Sequence, residues 1–309
     1  MKKYKGSLLL LLCAAIWGFA FAAQSSAADS VPPFTFNGIR SFMGAFVLLA
    51  FLLIKGRIKG ESFFPENRED KKNLIISGIA CGIILFIATN LQQYGITVYP
   101  AEASASGRAG FITALYVVLV PIFSIILKKK IHLIVWLAAV IAVIGMYFLC
   151  FKKGEGLSGV YFGDLLIILC ALCFAGHIVS VDYFVQRAEG IKISCIQFFV
   201  SALLSSVCAL IFEKPDFAGI SESMIALLYA GVCSTGIAYT LQIVGQETTP
   251  PALASIICSF ESVFAAIGGW LVLGERLSSR ELIGCAIMFA AVIMAQVPEF
   301  FKDKKLKSI

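Results

Sequence analysis

The amino-acid sequence contains the same apolar segment twice. At a shift of 157 residues the two copies match in the pairs Gly6 and Gly163, Cys13 and Cys170, and Ala45 and Ala202. The shift falls to 150 for the pairs Gln92 and Gln242 and Gly95 and Gly245, and to 145 for Ile112 and Ile257 and Val118 and Val263. Since the shift only decreases, the second copy has lost a few loop residues, and the chain should fold as two related halves.

The composition places both halves in a membrane. Hydrophobic residues make up 59% of the 309 residues and charged residues 14%, far from the average of soluble proteins. A helix that crosses a bilayer needs about 20 mostly apolar residues. Ten such segments are present, numbered here as spans one to ten: 7–25, 33–54, 73–97, 103–127, 131–150, 162–184, 191–212, 222–245, 251–273 and 279–297. The sequence therefore predicts an all-α integral membrane protein with ten transmembrane helices.

The number of spans in each half determines how the halves are related. Each half has five spans, and an odd number makes the second half enter the bilayer from the opposite side. Such inverted repeats are used by many secondary transporters for alternating access. We place the first five-helix repeat at residues 7–150, the second at 162–297 and a basic cytoplasmic tail at 298–309.

The lysines and arginines predict the orientation. With the N-terminus inside, the inner loops and termini carry 18 of them and the outer loops 5, so the positive-inside rule places both termini in the cytoplasm. The net charge of +6 then belongs to the membrane surface and not to nucleic-acid binding. We expect a multi-pass protein of a bacterial-type inner membrane, either a monomer or a homodimer.

Two features imitate other kinds of protein. The first residues resemble a cleavable signal peptide, but they form the repeat partner of residues 163–180 and are kept as span one. All ten cysteines lie within or at the edge of a span, where cysteine acts as a small apolar residue. Cys170 and Cys173 form a single CxxC pair without a nearby histidine cluster, so we predict neither a metal site nor a cofactor.

Several motifs resemble one transporter family. They are the Trp17-Gly18 pair in span one, the run from Ala109 to Pro121 in span four, and the run from Phe260 to Arg276 across span nine. In these residues the chain resembles the drug/metabolite transporter superfamily in its two-domain EamA-like form. The resemblance implies ten helices, a substrate cavity between the halves, and export or uptake of small metabolites, amino acids or drugs. Ser262 replaces the proline that usually follows the glutamate, which implies a less kinked span nine. Pro121 should kink span four.

Polar side chains inside a span are costly and therefore mark candidate sites. In span eight, Thr235, Tyr239, Gln242 and Gln246 follow the spacing i, i+4, i+7 and i+11 and share one helical face. This stripe either lines a cavity or joins the helices by hydrogen bonds. Span three carries Thr89 and Gln92 at the matching positions, with Asn90 and Tyr94 beside them. From these two stripes we select as candidate substrate-binding residues Asn90, Gln92, Tyr94, Tyr239 and Gln242.

Two titratable residues in the spans are candidates for proton coupling. Glu261 lies near the middle of span nine, where an ionised carboxylate is costly and the neutral form is favoured. In the family it resembles, this glutamate belongs to a structural helix motif, which is the competing interpretation. Its repeat partner is Tyr116, a candidate substrate contact. His177 in span six either titrates or binds substrate, or is simply satisfied by a neighbouring helix.

The remaining candidates are cationic or amphipathic. Arg40 lies in the outer third of span two, and we expect its side chain to extend to the headgroups. Arg108 at the start of span four either attracts an anionic substrate group or extends to the headgroups in the same way. Trp17 and Gln24 share a face of span one, suited to an apolar or amphipathic solute or to packing. Thr113 in span four completes the set.

These features predict a secondary active transporter of small organic solutes, energised by a proton or other ion gradient and exporting its substrate across the lipid bilayer. The sequence lacks the phosphate-binding loop GxxxxGK[ST], which excludes that route to ATP. A lipid or isoprenoid flippase and a passive facilitator share the architecture and remain alternatives. An intramembrane enzyme would need converging acid-base or metal groups such as HExxH, which the sequence lacks, so we expect no enzymatic activity.

Overall fold

The structure of the protein, a computed structural model, describes residues 2–99, 105–129, 131–150, 161–265, 267 and 278–306. Within these residues, seven helices are long and apolar enough to cross a membrane, and three shorter apolar helices accompany them. The predicted all-helical fold with ten spans is confirmed.

The helices follow the predicted spans closely. Those of spans one to five are Lys2–Ala27, Pro33–Lys59, Arg68–Thr97, the pair Ala105–Ala114 and Tyr116–Ile126, and Leu133–Cys150. Those of spans six to ten are Phe162–Phe184, Gly190–Phe212, the series Met224–Leu228, Tyr229–Ala238 and Tyr239–Gln246, then Pro251–Cys258 with residues 261–265, and Ser279–Leu306. A short helix, Phe217–Glu222, lies between spans seven and eight.

The two halves pack against each other in a two-fold pattern. Span two lies against span seven, and span five lies against span ten. Span three packs on spans six and seven, and span eight packs on spans one and two. When each span is replaced by its equivalent in the other half, every one of these contacts becomes another of the same contacts or itself, as inverted repeats require.

Repeat-related glycines bring the halves together at both ends of the bundle. A Cβ atom at Gly6 would lie 2.7 Å from the Gly245 carbonyl oxygen, and one at Gly163 would lie 2.8 Å from the Gly95 carbonyl oxygen. Only glycine permits such a close approach of two backbones. We call the end with Gly6 and Gly245, which also holds the N-terminal residues, the terminal end, and the end with Gly95 and Gly163 the far end.

Span four is interrupted in the middle. One helix ends at Ala114 and the next begins at Tyr116, one to two turns before Pro121. Proline lacks the amide hydrogen that would continue the ladder, and its ring clashes with the preceding turn. The expected distortion of span four is therefore present.

Span nine is interrupted at the repeat-equivalent place, Ser259 and Phe260, so the expectation of a straighter span nine is not met. In span nine, two serine hydroxyls that bond to the backbone distort the helix in place of a proline ring. The hydroxyls of Ser255 and Ser259 donate to the carbonyls of Ala252 and Ile256, at 2.9 and 2.8 Å. Such back-bonding bends helices.

Candidate functional site

A cavity lies at the centre of the bundle, between the two halves. The space between its wall atoms, including its open side, is about 450 Å³, but only about 30 Å³ can take the centre of a water molecule. That is room for about two waters. Spans one, two, three, four, six, eight and nine line it through Trp17, Ala20, Phe21, Gln24, Arg40, Gln92, Thr113, Tyr116, Phe174, Ile178, Ser234, Tyr239, Gln242 and Glu261.

Much of this lining consists of repeat-related pairs. Four pairs of equivalent positions contribute both members to the wall: Trp17 and Phe174, Phe21 and Ile178, Gln92 and Gln242, and Tyr116 and Glu261. The cavity thus lies on the axis that relates the halves, the place where transporters of this architecture bind substrate.

The two helix breaks bring one such pair into contact. Tyr116 is the first residue after the break in span four, and Glu261 is the first after the break in span nine. The Tyr116 hydroxyl donates to Glu261 Oε1 at 3.1 Å, and the Glu261 side chain is nearly inaccessible, with 4% of its surface exposed. A buried carboxyl that holds one phenol and borders a cavity can exchange a proton or a ligand there.

The cavity wall contains aromatic groups and side-chain amides. The Trp17 and Tyr239 rings meet edge to face with centroids 4.7 Å apart, and the Trp17 indole donates to the Ser234 carbonyl at 3.4 Å. The Gln92 amide donates to the Thr113 hydroxyl at 3.2 Å. Gln242 Oε1 is buried and has no hydrogen-bond partner among the described residues, so it is available to a solute.

Arg40 does not extend to the headgroups, and that expectation is wrong. Its side chain points into the cavity wall with 2% of its surface exposed. Its Nη1 lies 3.5 Å from Gln24 Oε1, at the outer limit of a hydrogen bond. The packing of span two against the next half explains the burial: a Cβ atom at Gly231 would lie 3.2 Å from the Arg40 carbonyl oxygen.

Comparison with known proteins agrees with this arrangement. The profile of the EamA-like transporter family matches the chain twice, at residues 4–151 and 161–296. The chain belongs to the EamA-like transporter family.

Relatives of this EamA-like transporter are themselves named as transporters. An uncharacterized transporter of Archaeoglobus fulgidus is 30% identical, over 96% of this chain and 87% of the relative. The uncharacterized inner membrane transporter YedA of Escherichia coli is 23% identical, over 94% and 90%. A solved crystal structure with 19% sequence identity superimposes with a TM-score of 0.77, over 96% of this chain and 97% of the other, and shows the same fold. The chain is thus a multi-pass membrane transporter.

Not every candidate site residue of the EamA-like transporter lines the cavity. The Asn90 amide donates to the Ser205 hydroxyl at 2.9 Å and joins spans three and seven. Tyr94 is 44% exposed on the outer surface of the bundle, with its ring 6.4 Å from that of Phe34. His177 is buried behind the wall, where its Nε2 lies 3.0 Å from Gln197 Oε1. The Arg108 side chain lies outside the described part of the structure.

The polar stripe of span eight is split because this span contains a π-helix, Tyr229–Ala238. Its wider turn rotates the preceding residues, so Ser234 borders the cavity with Tyr239 and Gln242. The Thr235 hydroxyl instead donates to the Ala230 carbonyl at 2.8 Å. Gln246 donates to the Ile178 carbonyl at 2.8 Å and joins spans eight and six. Both interpretations of the stripe therefore hold, for different members.

Sequence reasoning missed part of the wall. Phe174 and Ile178 could have been found as the repeat partners of Trp17 and Phe21, which lie one turn apart on the same face of span one. Ser234 could not, because no sequence pattern announced the π-helix. Arg40 was missed because a helical position alone does not tell whether a long side chain turns toward lipid or inward.

Proposed function

We propose that this EamA-like transporter is a proton-coupled secondary active transporter that exports small organic solutes, such as amino acids, metabolites or drugs. The observation that supports it is the central cavity, which is built from equivalent positions of two inverted repeats. In alternating access, one half rocks against the other around a site near the midplane. We further propose an inner-membrane location with both termini in the cytoplasm, following the lysine and arginine distribution.

Substrate would bind after one end of the bundle opens. Among the described residues, glycine contacts join the halves at both ends of the bundle, and the water-accessible space of about 30 Å³ is far below that of a solute site. We assign the substrate contacts to Trp17, Gln24, Gln92, Thr113, Tyr116, Tyr239 and Gln242, which line this space. The roles predicted for Asn90, Tyr94, Arg108 and His177 stay predictions.

Proton coupling is assigned to Glu261. An ionised carboxylate at this depth is costly unless it is paired, and among the described residues its hydrogen-bond partner is the neutral Tyr116 hydroxyl. The other titratable groups near it among the described residues are the thiols of Cys13, Cys170 and Cys258 and the phenol of Tyr239, and the Arg40 guanidinium lies in the same cavity wall. Proton binding when the cavity faces one side and release on the other would couple transport to the gradient. His177 is a second candidate, which the same assay tests.

The experiment is uptake into proteoliposomes of a labelled panel of amino acids and small metabolites, with and without an imposed proton gradient. We expect accumulation that a protonophore abolishes. Glu261→Gln should retain exchange of solute but lose gradient-driven accumulation, and Tyr116→Phe should shift its pH dependence. Glu222→Gln, the same change on the exposed surface, is the matched control.

Three other outcomes would contradict parts of the proposal. Full accumulation by Glu261→Gln together with its loss in His177→Gln would move coupling to the histidine. If solute exchange by the unmodified protein does not depend on the imposed proton gradient, the protein would be a passive facilitator or an antiporter. Movement of labelled lipid but of no water-soluble solute would indicate a flippase.

A further inference from the structure

Arg40 is a buried cation without an anionic partner. Among the described residues no carboxylate forms an ion pair with it, and its hydrogen bonding is limited to the 3.5 Å contact with Gln24. The ring of Phe36 lies 5.6 Å from the guanidinium carbon and covers part of the cation. The carboxylate that the cavity wall does contain, Glu261, accepts a hydrogen bond from Tyr116. Most of the guanidinium donors are therefore unused.

Such an arrangement is costly unless a ligand completes it. Buried charges in proteins are normally paired, and breaking a buried pair is strongly destabilising. A guanidinium offers about five N–H donors in a rigid fork that matches a carboxylate in two parallel hydrogen bonds. The cavity adjoining Arg40 is the place from which a solute can supply that group.

The repeat offers an internal comparison that argues against a structural role. At the shift of 157 residues the partner of Arg40 is Gln197, which is neutral, contacts His177 and does not line the cavity. The second half therefore folds around the equivalent position without a charge. The two-fold architecture does not require a cation in this position, so the charge serves something that is present in one half only.

The rest of the wall fits the remainder of such a solute. Trp17, Phe174, Ile178 and Tyr239 form an apolar and aromatic surface in the same cavity as Arg40. Aromatic and aliphatic surfaces of this kind hold an apolar body while a few polar groups fix its orientation. A solute with a carboxylate at one end and an apolar body at the other would satisfy both parts.

We propose that Arg40 binds the carboxylate of the transported solute and that Gln24, besides lining the same cavity, holds the guanidinium in position. The substrates are then small amphipathic carboxylates, including amino acids with apolar side chains. This inference rests on the proposed function, because it assigns a ligand to the same cavity. It adds a charge requirement that the transporter function alone does not demand.

The test is equilibrium binding to the purified full-length protein in detergent, using matched probes that differ in the carboxylate. L-leucine and L-phenylalanine are compared with leucinamide and phenylalaninamide, and with the amines that lack the carboxyl carbon. We expect the acids to bind about 10- to 100-fold more tightly than the amides, the range for hydrogen bonds to charged groups. Arg40→Gln should remove this preference, and Arg40→Lys should keep part of it, because lysine retains the charge but not the fork.

The preference ratio keeps the test valid if the variants are partly unstable, since it compares two probes on one sample. Gln24→Leu should weaken carboxylate binding while preserving the order of the probes. Arg187→Gln, an exposed arginine at the terminal end, should change nothing. Equal binding of acids and amides, or an unchanged ratio in Arg40→Gln, would overturn the proposal. Displacement of the probes by chloride or phosphate alone, with no acid preferred over its amide, would assign the site to an inorganic anion and overturn it as well.

The failure of this inference can be told from the failure of the proposed function. Carboxylate-selective binding without transport in proteoliposomes would retain the role of Arg40 and refute the transport cycle. Gradient-driven transport of amides and acids at the same rate would retain the transport cycle and refute the role of Arg40.

Discussion

The two ends of the bundle are closed by the same backbone contact but by different side chains. At each end one pair of glycines joins two spans: Gly6 and Gly245 join spans one and eight, and the equivalent pair, Gly163 and Gly95, joins spans six and three. At the far end the Tyr99 hydroxyl donates to Asp164 Oδ1 at 2.7 Å, and the contact is buried. The backbone amide of Tyr161 donates to the other oxygen of that carboxylate at 2.9 Å.

The terminal end has no counterpart of this bond among the described residues. The repeat partner of Tyr99 is Thr249, and that of Asp164 is Ser7. Thr249 is buried against Gly6, and its hydroxyl has no hydrogen-bond partner in the described structure. Ion pairs at the helix ends, Lys129 with Asp182 and Lys55 with Glu189, also join the halves here.

The difference implies that the two ends do not open at equal cost. A buried hydrogen bond to a charged group contributes about 1.5–3 kcal/mol, whereas an unpaired buried hydroxyl favours opening because water can then satisfy it. Exposed ion pairs contribute about 0–1 kcal/mol and do not make up the difference. We therefore infer that the terminal end opens more readily than the far end.

The largest effects are expected at the glycines, because a side chain at either position would meet a backbone carbonyl oxygen that cannot move aside, in addition to neighbouring side chains. Gly6→Val should prevent closure of the terminal end, and Gly163→Val should prevent closure of the far end. Overpacking of this kind costs about 1–3 kcal/mol, which corresponds to roughly a 5- to 150-fold loss of transport. Transport assays measure the loss. The accessibility of a single cysteine at position 92 or 242, to a membrane-impermeant thiol reagent from each side, shows which end stays open.

A glycine in span six provides the control for this comparison. A Cβ atom at Gly176 would lie 4.0 Å from the nearest atom, in the ring of Phe123, so Gly176→Ala should transport normally. If both valine variants exposed the cavity to the same side, the glycine pairs would not be the two closures.

Prediction from sequence succeeded where the repeat carried the information. The ten spans follow from the apolar segments. The shift between the halves gives the equivalence of Tyr116 with Glu261 and that of the two glycine pairs, but not the contacts that these residues make. Prediction failed where one half departs from the other. The inward direction of Arg40 depends on the contact of span two with span eight, and the π-helix depends on hydrogen bonds such as that of Thr235. Neither leaves a periodic signal.

The bond between Tyr99 and Asp164 should give the next largest effect. Tyr99→Phe leaves the shape of the far end intact but removes the hydroxyl that donates a hydrogen bond to Asp164. Opening of the far end should become about 10-fold more frequent or more, in line with the loss of a hydrogen bond to a charged group. The same thiol accessibility assay from the far side measures it. At the terminal end, the matched change Thr249→Val removes a hydroxyl that lacks a partner, and should leave opening unchanged or reduce it. An equal loosening of both ends would refute the asymmetry.

The smallest effect is expected for the ion pair between Lys55 and Glu189, and its pH dependence separates it from the buried contacts. Burial opposes ionisation of Glu189, but hydrogen bonds from Lys55 and Lys192 outweigh it and lower the pKa of this carboxyl. The stabilisation is therefore complete above the pKa of the unfolded chain, about 4.3, and is lost as the pH falls through the lowered pKa of the folded state.

Glu189→Gln should lower the thermal stability in detergent at pH 7 by an amount equivalent to about 0.2–1 kcal/mol, with a smaller difference in acid or at high salt. Because this pair is at the exposed surface, its removal should change opening of the terminal end less than Tyr99→Phe changes opening of the far end. If Glu189→Gln has the larger effect, surface ion pairs hold the terminal end closed, and the order of opening inferred from the buried contacts is reversed.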